Sequence, residues 1–156
     1  MSKGRLLLEV ELREIEGHER ALFLEMAESY FQELAGGNAA IDVTAYVDRV
    51  LENDESRARW IIWRSGIAGF TVWRSVAHCF RSYTLGLVEE FYVEPSARRK
   101  GVGKAAARAL LAELAEEGSA RVDLHVLLDN PAASAFWRAC GFRPRSIAYR
   151  RELSSE

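Results

Sequence analysis

Leu87-Val88-Glu89-Glu90-Phe91-Tyr92-Val93-Glu94-Pro95-Ser96-Ala97-Arg98-Arg99-Lys100-Gly101-Val102-Gly103-Lys104 is the stretch whose reading decides the fold. A strand-like run, Leu87 to Val93, leads in, and a long helical pattern leads out. Glycines open that helix, so backbone N–H groups can approach a ligand with no Cβ in the way. A helix N-terminus carries partial positive charge and unpaired donors, and Arg98, Arg99, Lys100 and Lys104 lie beside it. The combination suits a pyrophosphate.

Spacing separates three readings of this loop. A nucleotide-triphosphate loop needs Gly, four residues, then Gly-Lys-Ser/Thr. Here Gly103-Lys104 is followed by Ala105, and Arg98 occupies the position of the first Gly, so that reading fails. Gly101-x-Gly103-x-x-Ala106, with Asp123 further on, fits a dinucleotide fingerprint on paper. There the strand should run almost directly into the first Gly, whereas seven residues intervene after Val93. The third pattern is Arg/Gln-x-x-Gly-x-Gly/Ala after a strand ending in Val-x-Pro.

That third pattern, Val93-Glu94-Pro95 then Arg98-Arg-Lys-Gly101-Val-Gly103, resembles the central motif of the GNAT superfamily of N-acetyltransferases. The resemblance continues downstream. Asn130-Pro-Ala-Ala133-Ser-Ala-Phe136-Trp137-Arg-Ala-Cys-Gly141-Phe142 is similar to the family's second cofactor motif, an Asn, a helix, then Gly-Phe. Two motifs in order are far more specific than either alone. They cover Leu87 to Phe142; the N-terminal half carries no such fingerprint.

The resemblance implies acetyl-CoA as co-substrate. Arg98 and the main chain of Arg99, Lys100, Gly101, Val102, Gly103 and Lys104 would wrap its pyrophosphate. Main-chain groups of Phe91 and Val93, with Tyr92 between, would bind the pantetheine arm as an added strand. The N–H of Phe91 would also face the thioester oxygen and hold the oxyanion. Asn130 would bond the pantetheine arm while capping its helix, or serve as a cap alone, and Ala133 would let the arm pack closely. Trp137 departs from the family: many members carry Tyr there to protonate the leaving thiolate, and an indole N–H is no usable acid. Tyr92, Tyr30 and Cys140 are the other candidates for that proton.

Glu89 and Glu90 interrupt an apolar strand, where charge is costly unless paired or functional. Consecutive strand residues point to opposite faces, so the two acids are expected in different environments. An amine must lose a proton before it attacks, and a carboxylate near the cleft can take it. Polyamine acetyltransferases of the superfamily have a similar Glu-Asp-Phe-Phe-Val stretch in which the first acid is the proposed base, so Glu89 is the first choice and Glu90 the reserve. A salt bridge or a substrate-orienting role are the other readings of Glu89. On the acceptor side, Tyr30, Phe31 and Glu33, with Trp60, Trp73 and Tyr83, could form an acidic, aromatic wall for a cationic amine.

The chain has 156 residues, enough for one domain, 1–156, with its own core. Net charge is −2, so the basic loop is a local cluster in a slightly acidic protein, which favours a small anion over nucleic acid. No apolar run is long enough to cross a bilayer, and no signal-like stretch follows Met1. Two cysteines, Cys79 and Cys140, make neither a disulfide framework nor a metal site; a cytoplasmic setting is expected, with no metal, membrane or nucleic-acid partner.

Periodicity predicts strands at 5–15, 59–64, 67–76, 87–93, 121–128 and 142–153. It predicts helices at 19–34, 43–51 and 101–117 and a fourth opened by Asn130-Pro131. Gly36-Gly37-Asn38 closes the first helix. Ser65-Gly66 marks a hairpin, and 77–86 reads as a polar aromatic loop or the extended tip of the next one. The fold class is α/β: a mixed, mostly antiparallel sheet with helices on both faces. The resemblance adds a splayed parallel strand pair that forms the acyl-CoA cleft. The expected activity is acetyl transfer from acetyl-CoA to a primary amine of a small molecule by direct attack. A catalytically silent acyl-CoA-binding or regulatory protein is the alternative, and a homodimer through residues 145–153 is conceivable.

Overall fold

The computed structural model describes residues 8–34 and 41–153, in two compact units that divide after His125. Strand β1 is Val10–Glu14, followed by helices α1, Arg20–Leu34, and α2, Val43–Glu52. Then come β2, Ser56–Trp63, β3, Gly66–Ala77, β4, Thr84–Val93, helix α3, Val102–Glu116, and β5, Ser119–Leu124. The sheet order is β1-β2-β3-β4-β5. All neighbours are antiparallel except β4 and β5, which run parallel across α3.

The helices form where apolar residues fall on one stripe. Phe23, Met26, Ala27 and Phe31 are the buried face of α1, spaced to share one side of a 3.6-residue repeat. Asp42 caps α2, its Oδ1 accepting from the N–H of Ala45 at 3.0 Å. Val102, Ala106, Leu110 and Leu114 are buried along α3. The sheet therefore carries a core on each face. Trp60, Phe70, Val72 and Tyr92 pack with α1 and α2, while Ile61, Ala68, Trp73 and Val88 pack with α3. β3 and β4 approach so closely at Gly69 that a Cβ there would sit 1.9 Å from the Tyr92 carbonyl oxygen.

Several boundaries differ from the periodic reading. The β2–β3 turn is made by Arg64 and Ser65, at φ of 52° and 63°, one residue before the expected Ser65-Gly66. A two-residue turn matched to strand twist needs positive φ at both central positions, and the Arg64 guanidinium lies 4.3 Å over the Trp63 ring. Within the stretch 77–86, residues 78–83 form the tip of the β3–β4 hairpin, as the sequence reading allowed, and the strands take only Ala77 and Thr84 onward. β5 starts and ends earlier than expected. Residues 5–7 of the predicted first strand, and Gly36-Gly37-Asn38, lie outside the described residues.

The second unit contains α4, Pro131–Ala139. Asn130 caps it, Oδ1 accepting from the N–H of Ala133 at 3.1 Å. It closes with Gly141 at φ 93°, where the N–H of Phe142 bonds the Trp137 carbonyl and that of Gly141 the Arg138 carbonyl, the paired closure that favours glycine. Trp137 is buried, with Phe136 and Phe142 edge-on to it at 4.9 and 5.1 Å. The last strand predicted at 142–153 is not formed. Its apolar residues Ile147, Tyr149 and Leu153 are exposed. A lone extended segment without a ladder partner satisfies few of its own backbone groups and buries little.

Candidate active site

β4 and β5 pair from Thr84↔Ser119 to Val88↔Leu124, and there the pairing ends. β4 continues for five residues, Glu89 to Val93, held by β3 alone within the sheet. This is the parallel pair that the motif order implied; β5 ends at Leu124, so β4 alone extends past it. Beyond it, Pro95–Ala97 makes one 3-10 turn, and α3 begins at Gly101.

The start of α3 leaves backbone donors without intrahelical partners. Arg99 and Gly101 adopt positive φ, 62° and 84°, and no side chain caps the helix. The first intrahelical bond is Ala105 N–H to Gly101 C=O, so the amides of Val102, Gly103 and Lys104 precede the ladder. Val102 is buried among Ile61 and Ala106 and offers only its main chain. Lys100 donates to the Ser96 carbonyl at 2.6 Å and lies 5.6 Å over the Trp63 ring. Arg99 and Lys104 are exposed.

A bulge decides where the two acids point. Val72 pairs with Glu90 and Trp73 with Val88, so Glu89 is an extra residue in β4. Val88 and Phe91 both pack on the α3 side, although residues three apart on a regular strand face opposite ways. The alternation changes phase between them, and both carboxylates turn toward the α1–α2 side. The expectation of opposite faces fails for this reason.

Their surroundings still differ. Glu89 is exposed, and its Oε1 lies 2.9 Å from Arg74 Nε, an ion pair at a distance but not an angle for a hydrogen bond. Glu90 is half-buried and accepts a 2.5 Å hydrogen bond from the Tyr30 hydroxyl. Burial pushes its carboxyl up to about 7; the Tyr30 bond opposes that shift, and the charge of Glu89 adds to it. The Tyr30 phenol is itself held well above its ordinary range by burial and by Glu90.

Sequence reasoning missed Tyr46 on α2. Its hydroxyl is buried without a hydrogen-bond partner among the described residues. Burial, then Glu90, Tyr30 and Glu89, raise its phenol. The available signal was a polar aromatic on the helix face that carries Val43, Val47 and Val50.

Other expected site residues are engaged elsewhere. Glu33 binds Arg98 through both its oxygens, at 2.8 Å each. Arg98 Nε donates to the Val93 carbonyl at 2.7 Å, so three of its guanidinium nitrogens are bonded to protein. The Tyr92 ring is buried 5.4 Å from the Tyr30 ring and below Arg98. Trp60 and Trp73 are fully buried, their indoles donating to Glu19 and Glu117; both are core, not acceptor wall. Tyr83 lies at the far tip of β3–β4, stacked by Arg121. Asn130, Ala133, Trp137 and Cys140 belong to the second unit. Two shallow surface hollows among the described residues, one against Glu113, Glu116 and Glu117 and one along Ala45 to Asn53, are not lined by Glu90 or by the α3 turn. Among the described residues no group of three or more His, Cys, Asp or Glu could hold a metal, and no helix is long and apolar enough to cross a membrane.

A parallel strand pair at one edge, a bulged central strand and an uncapped glycine-led helix make up a mixed α/β fold. Residues 20–142 match the model of the acetyltransferase (GNAT) family, and the chain belongs to that family. Solved structures share the fold at low identity. One is an aminoglycoside acetyltransferase from an uncultured soil metagenomic sample, in complex with sisomicin, at TM-score 0.76 and 14% identity over 93% of this chain and 97% of that one. Another is a ribosomal-protein-alanine N-acetyltransferase from Brucella melitensis biovar Abortus 2308, at 0.76 and 18% over 94% and 100%. A third is a possible acetyltransferase from Clostridium difficile 630, at 0.79 and 16% over 94% and 99%. A search of curated protein sequences gives no match.

Proposed function

We propose that the chain is a single acetyltransferase domain that moves an acetyl group from acetyl-CoA to a primary amine of a small molecule. The observation that carries this reading is the extension of β4 past the end of β5 at Leu124, with Glu90 on that free stretch and the uncapped start of α3 after it. The amides of Val102 to Lys104 receive the pyrophosphate, and Phe91 to Val93 support the pantetheine arm. The second motif implies cofactor contacts for Asn130, Ala133 and Trp137 within their own unit.

Glu90 is the base in this reading, in place of the first-choice Glu89. It is the better sheltered acid, its carboxyl titrates near neutrality, and Glu89 is committed to Arg74. Glu90 takes a proton from the ammonium, directly or through water. The freed amine attacks the thioester carbon and forms the C–N bond, the C–S bond breaks with its electrons leaving on the thiolate, and the second nitrogen proton passes through solvent to that thiolate, giving the amide and the CoA thiol. Tyr30 steadies the carboxylate, and the phenols of Tyr30 and Tyr46 complete a polar, aromatic acceptor wall. The titration midpoint matches a base that works near pH 7.

The fold neighbour crystallised with sisomicin supports amine acceptors of the aminoglycoside kind; polyamines and amino acids fit the same chemistry. Trp137 favours a second reading, a silent acyl-CoA-binding protein, because it offers no proton to the thiolate. Thiol release from acetyl-CoA across a panel of aminoglycosides, polyamines and amino acids separates the two. Acetyl-CoA binding without thiol release from any acceptor would leave only the silent reading.

A further inference from the structure

Arg98 opens the turn where a phosphate ligand was expected, but its guanidinium is already engaged on three sides. Nη1 and Nη2 meet the two oxygens of Glu33 on α1, at 2.8 Å each. Nε donates to the carbonyl of Val93, the last residue of β4, at 2.7 Å. The guanidinium carbon sits 5.6 Å over the Tyr92 ring. A two-point fork, a backbone bond and a ring face fix a planar group in one orientation, which a lysine could not reproduce.

We propose that Arg98 is a positioning residue: with Glu33 it forms a strut that fixes the pyrophosphate turn to α1, so acetyl-CoA affinity depends on Glu33, a side chain remote from the phosphates. The proposal rests on the acetyl-CoA reading. Immediately after Arg98, Arg99 holds φ 62°, a strained conformation that persists only where its surroundings over-determine it. Arg98 anchors the turn on one side of that strain. Lys100, bonded to the Ser96 carbonyl, anchors it on the other.

The strut also joins the two halves of the site. Tyr30 and Glu33 are three residues apart on α1, so they share a helix face. Tyr30 bonds Glu90 and Glu33 bonds Arg98. The downstream half of β4 and the turn after it are thus tied to one helix.

The test is acetyl-CoA titration calorimetry and steady-state kinetics on the full chain, with Glu33→Gln, Glu33→Ala, Arg98→Ala, Arg98→Lys and the double Glu33→Ala/Arg98→Ala. A strut predicts that Glu33→Ala and Arg98→Ala each weaken acetyl-CoA binding by about tenfold, and that the double variant loses no more than either single one. KM for acetyl-CoA should rise while kcat at saturation holds, and Arg98→Lys should not restore affinity. Glu33→Gln, which keeps size and one acceptor oxygen, covers the case in which the alanine variants fail to fold; it should lie between parent and Glu33→Ala. Parental affinity in both Glu33 variants with a large loss in Arg98→Ala would overturn the strut and make Arg98 a direct phosphate ligand. A parent that binds no acetyl-CoA removes the functional reading, and the strut with it.

Discussion

The Tyr30 hydroxyl, on α1, donates to the Glu90 carboxylate, on β4, across sixty positions of sequence. The bond favours the ionised acid, and burial favours the neutral one; burial is the larger effect. The balance leaves a carboxyl that changes charge near neutral pH, which neither residue would do alone in water.

Replacing Glu90 by Gln should therefore cut kcat/KM by about 10²- to 10⁴-fold, the usual scale for loss of a general base. Glu89→Gln should have a much smaller effect, since that acid pairs with Arg74. In the parent, kcat/KM should climb with pH through about 7 as Glu90 ionises. Tyr30→Phe removes the bond that holds the acid down, so its limb should move to higher pH. An unchanged limb in Glu90→Gln would transfer the role to another group.

The same carboxyl makes a stability prediction. Its folded pKa, about 7, lies above the ordinary 4.5. Between these values the folded state binds more protons than the unfolded one, so stability falls as pH rises from 4.5 to 7. The full effect is on the order of 3 kcal/mol. Glu90→Gln should lack this loss and be more stable than the parent at pH 8, with the two converging near pH 4. Urea unfolding of the ligand-free proteins across that range reads it directly.

Much of this was legible in the chain itself. The glycines at 101 and 103, the Val-x-Pro before them and the Asn-Pro helix opening are local signals, and each holds in the structure. The face on which Glu89 and Glu90 lie was not legible. It depends on a bulge, and a bulge is set by how β3 registers against β4, a relation between distant segments that alternation within one strand cannot report. The pairing of Glu33 with Arg98 was not legible either, for a similar reason: it joins residues far apart in the sequence. Tyr46 carried no motif at all; only the packing of α2 over the sheet brought its hydroxyl near two acids. The strand predicted at 142–153 shows the converse. An alternating apolar pattern makes a strand only where an edge receives it.

Gly69 provides a test of the β3–β4 approach. An alanine Cβ would stand 1.9 Å from the Tyr92 carbonyl oxygen and 2.9 Å from Val93 Cα, and both are backbone in the strand that leads to the cofactor turn. Neither can rotate aside, so the strands must part. Gly69→Ala should lower stability by about 3 kcal/mol or more, at the upper end for single substitutions. It should also weaken acetyl-CoA binding. Denaturant unfolding and calorimetry check the two effects separately; parental stability would mean the ladder has slack here.

Glu19 tests the opposite edge of the sheet and the opposite pH direction. Its carboxylate accepts from Arg13 at 2.8 Å, from the Trp60 indole at 3.0 Å and from the backbone N–H of Glu16 at 3.0 Å. The bond from Arg13 is the largest cause that holds its pKa down at about 2. Stability from this group is present above the ordinary carboxylate value and is lost as pH falls toward 2. Arg13 is substantially exposed, so solvent screens its share. The indole of Trp60 is wholly buried, and an orphaned N–H there costs about 1–3 kcal/mol. Glu19→Ala should therefore be less stable than the parent at pH 7 by roughly that amount, with the gap narrowing as the solution approaches pH 2, because the parent then loses the same charge. Catalysis should be unaffected, as Glu19 lies by β1 and the start of α1, at the far end of that helix from Glu33. A gap that stayed constant down to pH 2 would show that the lost contact is packing against Trp60, with no contribution from the ionised carboxylate.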